Sequence, residues 1–236
     1  MKKTIILLIS FISLAFFVAY EENFKERQAE ALIWAAYEGD LIGVKNLMED
    51  GAETNYGIYI TDPKRHYQQA LFTLPLAAAS GGNEKILRYL IKNKVANHAP
   101  NDKNWTPLLI AVRDGHAEYA AQLIENGADI NAQTDSGATA LILAFVTDFP
   151  EEKQRLSIIE YMLKKEADPN KQTLLQSDAL FYAVTELNRL EGVKLLLEYG
   201  ADVCRLYEGK NIVEISKDNE IRSLLKEAYE KQCRHQ

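Results

Sequence analysis

Trp105–Asn131, WTPLLIAVRDGHAEYAAQLIENGADIN, holds a turn, a short helix, a glycine bend, a second helix and an Asn-ended exit loop in 27 residues. Thr106-Pro107 opens the first helix, with proline at a position where a missing N–H costs little. Gly115 ends that helix where a positive φ is needed. Leu123 and Ile124 belong to the apolar stripe of the second helix, and Gly127 closes it.

Nearly everything after residue 28 is an edited copy of this stretch. First halves begin EALIWAAYEGD at Glu30, TLPLAAASGGN at Thr73, TPLLIAVRDGH at Thr106, TALILAFVTDF at Thr139, DALFYAVTELN at Asp178 and NIVEISKDNEI at Asn211. Second halves read VKNLMEDGAETN, ILRYLIKNKVAN, YAAQLIENGADIN, IEYMLKKEADPN and VKLLLEYGADV. Successive starts lie 43, 33, 33, 39 and 33 residues apart, so the period is 33, with ten extra residues in one unit and six in another. Small residues such as Ala78, Ala79, Ala111 and Ala144 suit close packing between neighbouring first helices. One such unit cannot bury its own apolar face, so stability comes from stacking.

With this period and the Thr-Pro opening, the chain resembles the ankyrin repeat family. The resemblance covers residues 30 to about 232 and implies an all-α solenoid of about six helix-turn-helix units with hairpin-like fingers. The expected organisation is an apolar signal or anchor at 1–20, a charged connector at 21–28, repeats at 29–232 and a tail at 233–236.

The copies depart from the template in informative places. Between the first and second units lies a long finger, YGIYITDPKRHYQQALF, at 56–72. Asp62-Pro63 marks a turn, and Ile58-Tyr59-Ile60 is expected to pair as a strand in a lengthened hairpin. The fourth unit has Asp148 at the bend and extra residues around 149–155, which are expected to lengthen the link between its helices. Pro150 stops the first helix there. The fifth unit has Leu187 where the bend glycine falls. The sixth carries Ser216-Lys217 in place of alanines and ends in KEAYEKQ, as a capping unit with a solvated face should.

The N-terminus reads Met1-Lys2-Lys3, then an uncharged run from Thr4 to Tyr20, then Glu21-Glu22, which is a secretory signal pattern. The alternatives are a signal cut after Ala15 and an uncleaved anchor. Either places the residues after 20 outside the cytoplasm, periplasmic or secreted in the first case and tethered to the inner membrane in the second.

Of 236 residues, 47% are hydrophobic and 26% charged, as in a chain with a packed core. Formal net charge is −7; without Lys2 and Lys3 it is −9, with 25 basic against 34 acidic residues. That balance disfavours nucleic acid, which demands clustered Lys and Arg, and suits a basic protein partner. Cys204 and Cys233 are too few and wrongly spaced for a structural zinc site. A bridge between them requires Cα atoms within about 7 Å. No cofactor or metal is expected, and the chain is expected to be a monomer.

Catalysis has little support. His66, His98, His116 and His235 sit in loops, a bend and the tail, and neither a nucleophile elbow nor a phosphate loop is present. A hydrolase would need a polar pocket where His and carboxylate groups converge.

Binding residues are drawn from two sources. In the long finger they are Tyr59, Lys64, Arg65, His66 and Tyr67, since Tyr and Arg are enriched at binding hot spots; the alternative is a tolerated insertion that packs Tyr59 and Tyr67 back on the first unit. The family resemblance implies contacts at finger tips and at the exposed ends of first helices. Those positions are Asp102, Lys103, Trp105, Asp135 and Ser136, with Tyr37, Ser80, Arg113, Asp114, Val146 and Thr185 on the helices. Trp105 is either a contact anchor or a packed support for the next finger. The expected function is a non-enzymatic, exported protein-binding module, in a sharper form an immunity or inhibitor protein against an envelope-targeting toxin. The alternative is an envelope stress or redox-protection protein acting through a bound cofactor or through Cys204 and Cys233.

Overall fold

The computed structural model describes residues 22–61, 69–95, 98–185 and 189–233. The chain divides into two compact units, Met1–Ala96 and Asn97–Gln236. The signal-like run, the finger tip at 62–68 and Leu187 lie outside the described residues. Among the described residues no helix is long and apolar enough to cross a membrane.

In the first unit, residues 22–38 form one helix, α1, so the charged stretch after residue 21 is helical and runs on into the first repeat. Then come α2 (Leu41–Glu49), strands β1 (Gly57–Thr61) and β2 (Gln69–Thr73), α3 (Leu74–Gly81) and α4 (Glu84–Lys92). The two strands are antiparallel, with Gly57 opposite Thr73 and Thr61 opposite Gln69. The expected strand at 58–60 is therefore part of a hairpin that runs straight into α3. Asn83 caps α4 by accepting from Lys85 N and Ile86 N, and its Nδ2 donates to Gly39 O at 3.0 Å. One side chain thus ties the bends of the first and second repeats.

The second unit contains α5 (Pro107–Arg113), α6 (Ala117–Glu125), α7 (Ala140–Val146), α8 (Glu152–Lys164), α9 (Ala179–Thr185) and α10 (Leu190–Glu198). It ends with the short hairpin β3 (Leu206–Tyr207) and β4 (Lys210–Asn211), then α11 (Ile212–Ile215) and α12 (Asn219–Gln232). First helices α5, α7, α9 and α11 stack in one layer, and second helices α6, α8, α10 and α12 stack in another. Each first helix starts on a capping side chain. Thr106, Thr139 and Asp178 accept from the backbone N–H three residues on, at 3.3, 3.2 and 3.0 Å. Leu109, Ala111, Ala144 and Ala183 are fully buried between the layers. Only Ile221 and Leu225 of α12 are buried, so the last helix has the solvated outer face of a cap.

Asparagines at the end of the second halves staple one repeat to the next. Asn131 donates to Glu166 O and accepts from Asp168 N at 2.8 Å, while Asn170 donates to Gly200 O and accepts from Asp202 N at 2.8 Å.

The insertion in the fourth repeat is distributed differently from expectation. The link between α7 and α8 has five residues against three between α5 and α6, while α8 has 13 residues against nine in α6. Most of the extra chain therefore extends the helix, since Lys153, Gln154 and Arg155 are good helix formers behind Pro150. The link passes over the bend at Gly115, where an added Cβ would sit 3.5 Å from Asp148 O and 3.6 Å from Pro150 Cδ.

Candidate functional site

The fingers of the second unit run into Thr106, Thr139, Asp178 and Asn211, and the first three are fixed to one another by their own backbones. Asp135 N donates to Lys103 O and Leu174 N to Ser136 O, at 3.3 and 2.9 Å. The Gln133 side chain donates to Gly137 O and Gln172 O. Gly137 has a φ of +80°, and a Cβ there would lie 2.9 Å from Gln172 O. The equivalent tip positions in the third and fifth repeats, Asn104 and Gln176, hold the same left-handed backbone at +57° and +59° without being glycine. The tips therefore form a rigid edge.

Along that edge the chemistry changes. Asp102 and Lys103 are exposed at the third repeat, and Asp135 is exposed at the fourth, where it accepts from Asn104 Nδ2 at 2.7 Å. At the matching positions of the fifth repeat stand Leu174 and Leu175, 77% and 84% exposed. Leu206 on the last finger is exposed as well. The candidate residues named from sequence do not include these leucines. The register of the repeats carries the signal, because a finger that is charged in two copies turns apolar in the next.

Among the residues expected on exposed helix ends, Val146 and Thr185 are exposed. Ser80 is buried. Arg113 and Asp114 have side chains only 5% exposed and grip each other in a fork, Nε to Oδ1 at 2.8 Å and Nη2 to Oδ2 at 3.0 Å. The guanidinium also lies over the ring of the half-buried Trp105. These three residues build the base of a finger, and the planar guanidinium suits both contacts at once.

In the first unit, Tyr37 is half-buried, edge-on to Trp34 at 5.6 Å and to Phe72 at 6.3 Å, which seats the hairpin on α1. Tyr59 on β1 is 65% exposed. Lys64, Arg65, His66 and Tyr67 lie outside the described residues.

Two buried polar clusters act on packing. Asp178 accepts from Tyr207 Oη at 2.8 Å, pairs with Arg205 and caps α9. Burial first, and Asp178 second, push the Tyr207 phenol far above its ordinary range. Arg155 is buried against Phe149, donates to Thr147 O at 2.8 Å and pairs with Glu152, which also accepts from Arg189. Burial, then the nearby Arg189 charge, lower the Arg155 pKa.

Cys204 and Cys233 are joined by a disulfide, with Cα atoms 5.6 Å apart, and hold the end of α12 to the last finger. Among the described residues no group of His, Cys, Asp and Glu could hold a metal ion. A groove between α6 and α8 is lined by residues of both helices and by Glu151 of the link before α8, with carboxylates but no histidine.

The sequence model of the family described as "Ankyrin repeats (3 copies)" matches residues 74–173. The human ankyrin repeat and MYND domain-containing protein 1 is 28% identical over 104 residues, 44% of this chain and 11% of that protein. Human protein phosphatase 1 regulatory subunit 27 is 38% identical over 60 residues, 25% of this chain and 39% of its own. Delta-latroinsectotoxin-Lt1a of Latrodectus tredecimguttatus is 48% identical over 60 residues, 25% of this chain and 5% of the toxin. In each case the match spans well under two thirds of the relative.

Proposed function

We infer that this chain, which belongs to the ankyrin repeat family, is a non-enzymatic module that binds a protein partner along its finger edge and works outside the cytoplasm. Ankyrin repeats are in general protein–protein interaction modules. The observation that carries the reading is the Leu174-Leu175 tip. Two leucines stand almost wholly in solvent on a finger whose backbone is tied to the preceding finger through Leu174 N and Ser136 O and closed on itself through Thr173 N and Ser177 O. Exposed apolar side chains on a rigid support gain about 1.5–3 kcal/mol each when buried. Little ordering entropy opposes that gain. One relative is by name a regulatory subunit of a phosphatase, which supports a role in binding another protein.

Two features support export. The N-terminal sequence has the order of a secretory signal, and the two cysteines are bridged, as is usual in oxidising compartments. The acidic balance favours a basic partner through steering and complementarity. A toxin acting on the envelope, neutralised by this chain as immunity protein or inhibitor, fits that charge and that place.

The test is affinity purification of the tagged full chain from the cell envelope, beside a Leu174→Glu/Leu175→Glu variant. A stoichiometric protein partner with the parent chain, lost with the variant, is expected. No partner with either chain, at normal abundance of both, would overturn the reading. Intact mass of the purified protein checks cleavage near Ala15.

A further inference from the structure

The groove between α6 and α8 lies on the layer of second helices, away from the fingers. It has a volume of about 400 Å³, with Ala117 and Ala121 of α6 on one side and Ile158 and Tyr161 of α8 on the other. Glu118 and Glu151 flank it. The size falls in the range of cavities that hold ligands or anchor side chains, about 300–1,000 Å³.

Comparison of the repeats in register shows that this space is particular to one unit. The position of Ala121 is Lys45 in the first repeat, Arg88 in the second, Glu160 in the fourth and Lys194 in the fifth. The position of Ala117 is Leu41, Glu84, Leu156 and Leu190 in the same order. Among these five repeats only the third has alanine at both. The six-residue insertion supplies the rest. The link that crosses Gly115 delivers Glu151 to the mouth, and the extension of α8 adds Lys153 and Gln154, while Ile158 and Tyr161 hold ordinary repeat positions. Outside the lining, Tyr161 Oη donates to Glu125 Oε1 at 3.2 Å and the Lys165 ammonium lies over the same ring, so those two charges offset each other and the lining residues decide the sign.

The charges select the occupant. Among the described residues, neither Glu118 nor Glu151 enters an ion pair. Lys153 also lines the groove, so two carboxylates face one ammonium and the mouth is net negative. The alanine methyls and Ile158 provide an apolar bed for an aliphatic stem. A long side chain with a cationic end, lying along alanine and reaching carboxylate, satisfies both parts.

We propose that this groove is a second docking point, separate from the finger edge, which takes an arginine-bearing segment of a partner protein. Arginine fits better than lysine because its planar fork can bridge two carboxylates at once. The proposal rests on the reading that the chain binds protein, and adds a specific anchor to it.

The probes are N-acetyl-Ala-Arg-Ala-amide and its Ala-Glu-Ala counterpart, titrated into the full chain with labelled alanine methyls. The arginine peptide is expected to shift the Ala117 and Ala121 methyl resonances saturably, and the glutamate peptide to leave them unmoved. Ala121→Lys restores the residue found in the first and fifth repeats, so it fills the groove in a fold that already accepts it. It should weaken the arginine peptide at least tenfold, as should Glu118→Gln with Glu151→Gln. Equal shifts from both peptides, no shift at either methyl, or undiminished binding in Ala121→Lys would overturn the proposal. A partner that co-purifies with the parent chain and equally well with Ala121→Lys would leave protein binding standing and remove the groove from it. Absence of any partner, beside selective arginine binding at the two methyls, would sink the broader reading alone.

Discussion

The guanidinium of Arg113 lies 5.2 Å from the centroid of the Trp105 ring, while its fork holds the Asp114 carboxylate below. A tryptophan at the root of a finger is thereby fastened to the end of the helix that the finger precedes. Removing one member of a buried pair strands the other charge, at about 3–5 kcal/mol. Arg113→Met should therefore lower stability in urea unfolding by about 3 kcal/mol, and Trp105→Ala by somewhat less. Were Trp105 a contact anchor alone, Trp105→Ala would leave the unfolding midpoint unchanged.

The second-helix ends offer a gain instead. The glycine that closes this helix at Gly127 is replaced by Lys94 in the second repeat and Glu166 in the fourth, at φ of 57° and 66°. A left-handed conformation costs a side-chain-bearing residue about 1–2 kcal/mol, partly offset by the extra unfolded-state entropy of glycine. Glu166→Gly is expected to stabilise by about 0.5–1 kcal/mol. An unchanged or lowered thermal midpoint would contradict this.

The Cys204–Cys233 bridge closes a segment with a sequence separation of 29. Loops of that size contribute about 3–4 kcal/mol by restricting the unfolded chain. Because repeats unfold locally, the loss on reduction should appear in α12 and the last finger before the rest. Hydrogen exchange with and without reductant, read over residues 204–233, checks the order. Uniform loss of protection across the second unit would refute it.

Alkaline titration tests the buried phenols. Burial raises the pKa of Tyr119, and burial and Asp178 raise that of Tyr207. A group whose folded pKa is raised contributes stability in full below its unfolded value, about 10 for tyrosine. That stability declines as pH climbs toward the folded value. Stability should thus fall above pH of about 10, with tyrosinate absorbance from these two residues appearing only together with loss of helical signal. Tyr207→Phe should reduce the slope.

Much of the fold is legible in the sequence because repeats report on one another. Thr106-Pro107, Gly115 and Gly127 each mark a boundary by a local backbone rule, and three copies of a rule fix the period. What is not legible depends on burial between copies. Arg113 and Asp114 read as exposed charges, yet the neighbouring repeat covers them, with Thr147 donating to Arg113 O at 3.3 Å. The insertion at 149–155 reads as loop because Pro150 breaks the pattern, and periodicity is silent on how far α8 reaches back. Leu174 and Leu175 are visible in the register but resemble core residues in composition. Only the path of the finger places them in solvent.

If the finger edge of the second unit touches a protein, a photo-crosslinking amino acid at its tip will capture that protein. Placed at Leu175 in intact cells, beside one at Lys210, it should give a discrete protein adduct from position 175, lost when Leu174→Glu is added. Adducts absent from both positions in a folded, normally abundant chain, or an adduct at 175 indifferent to Leu174→Glu, would contradict it.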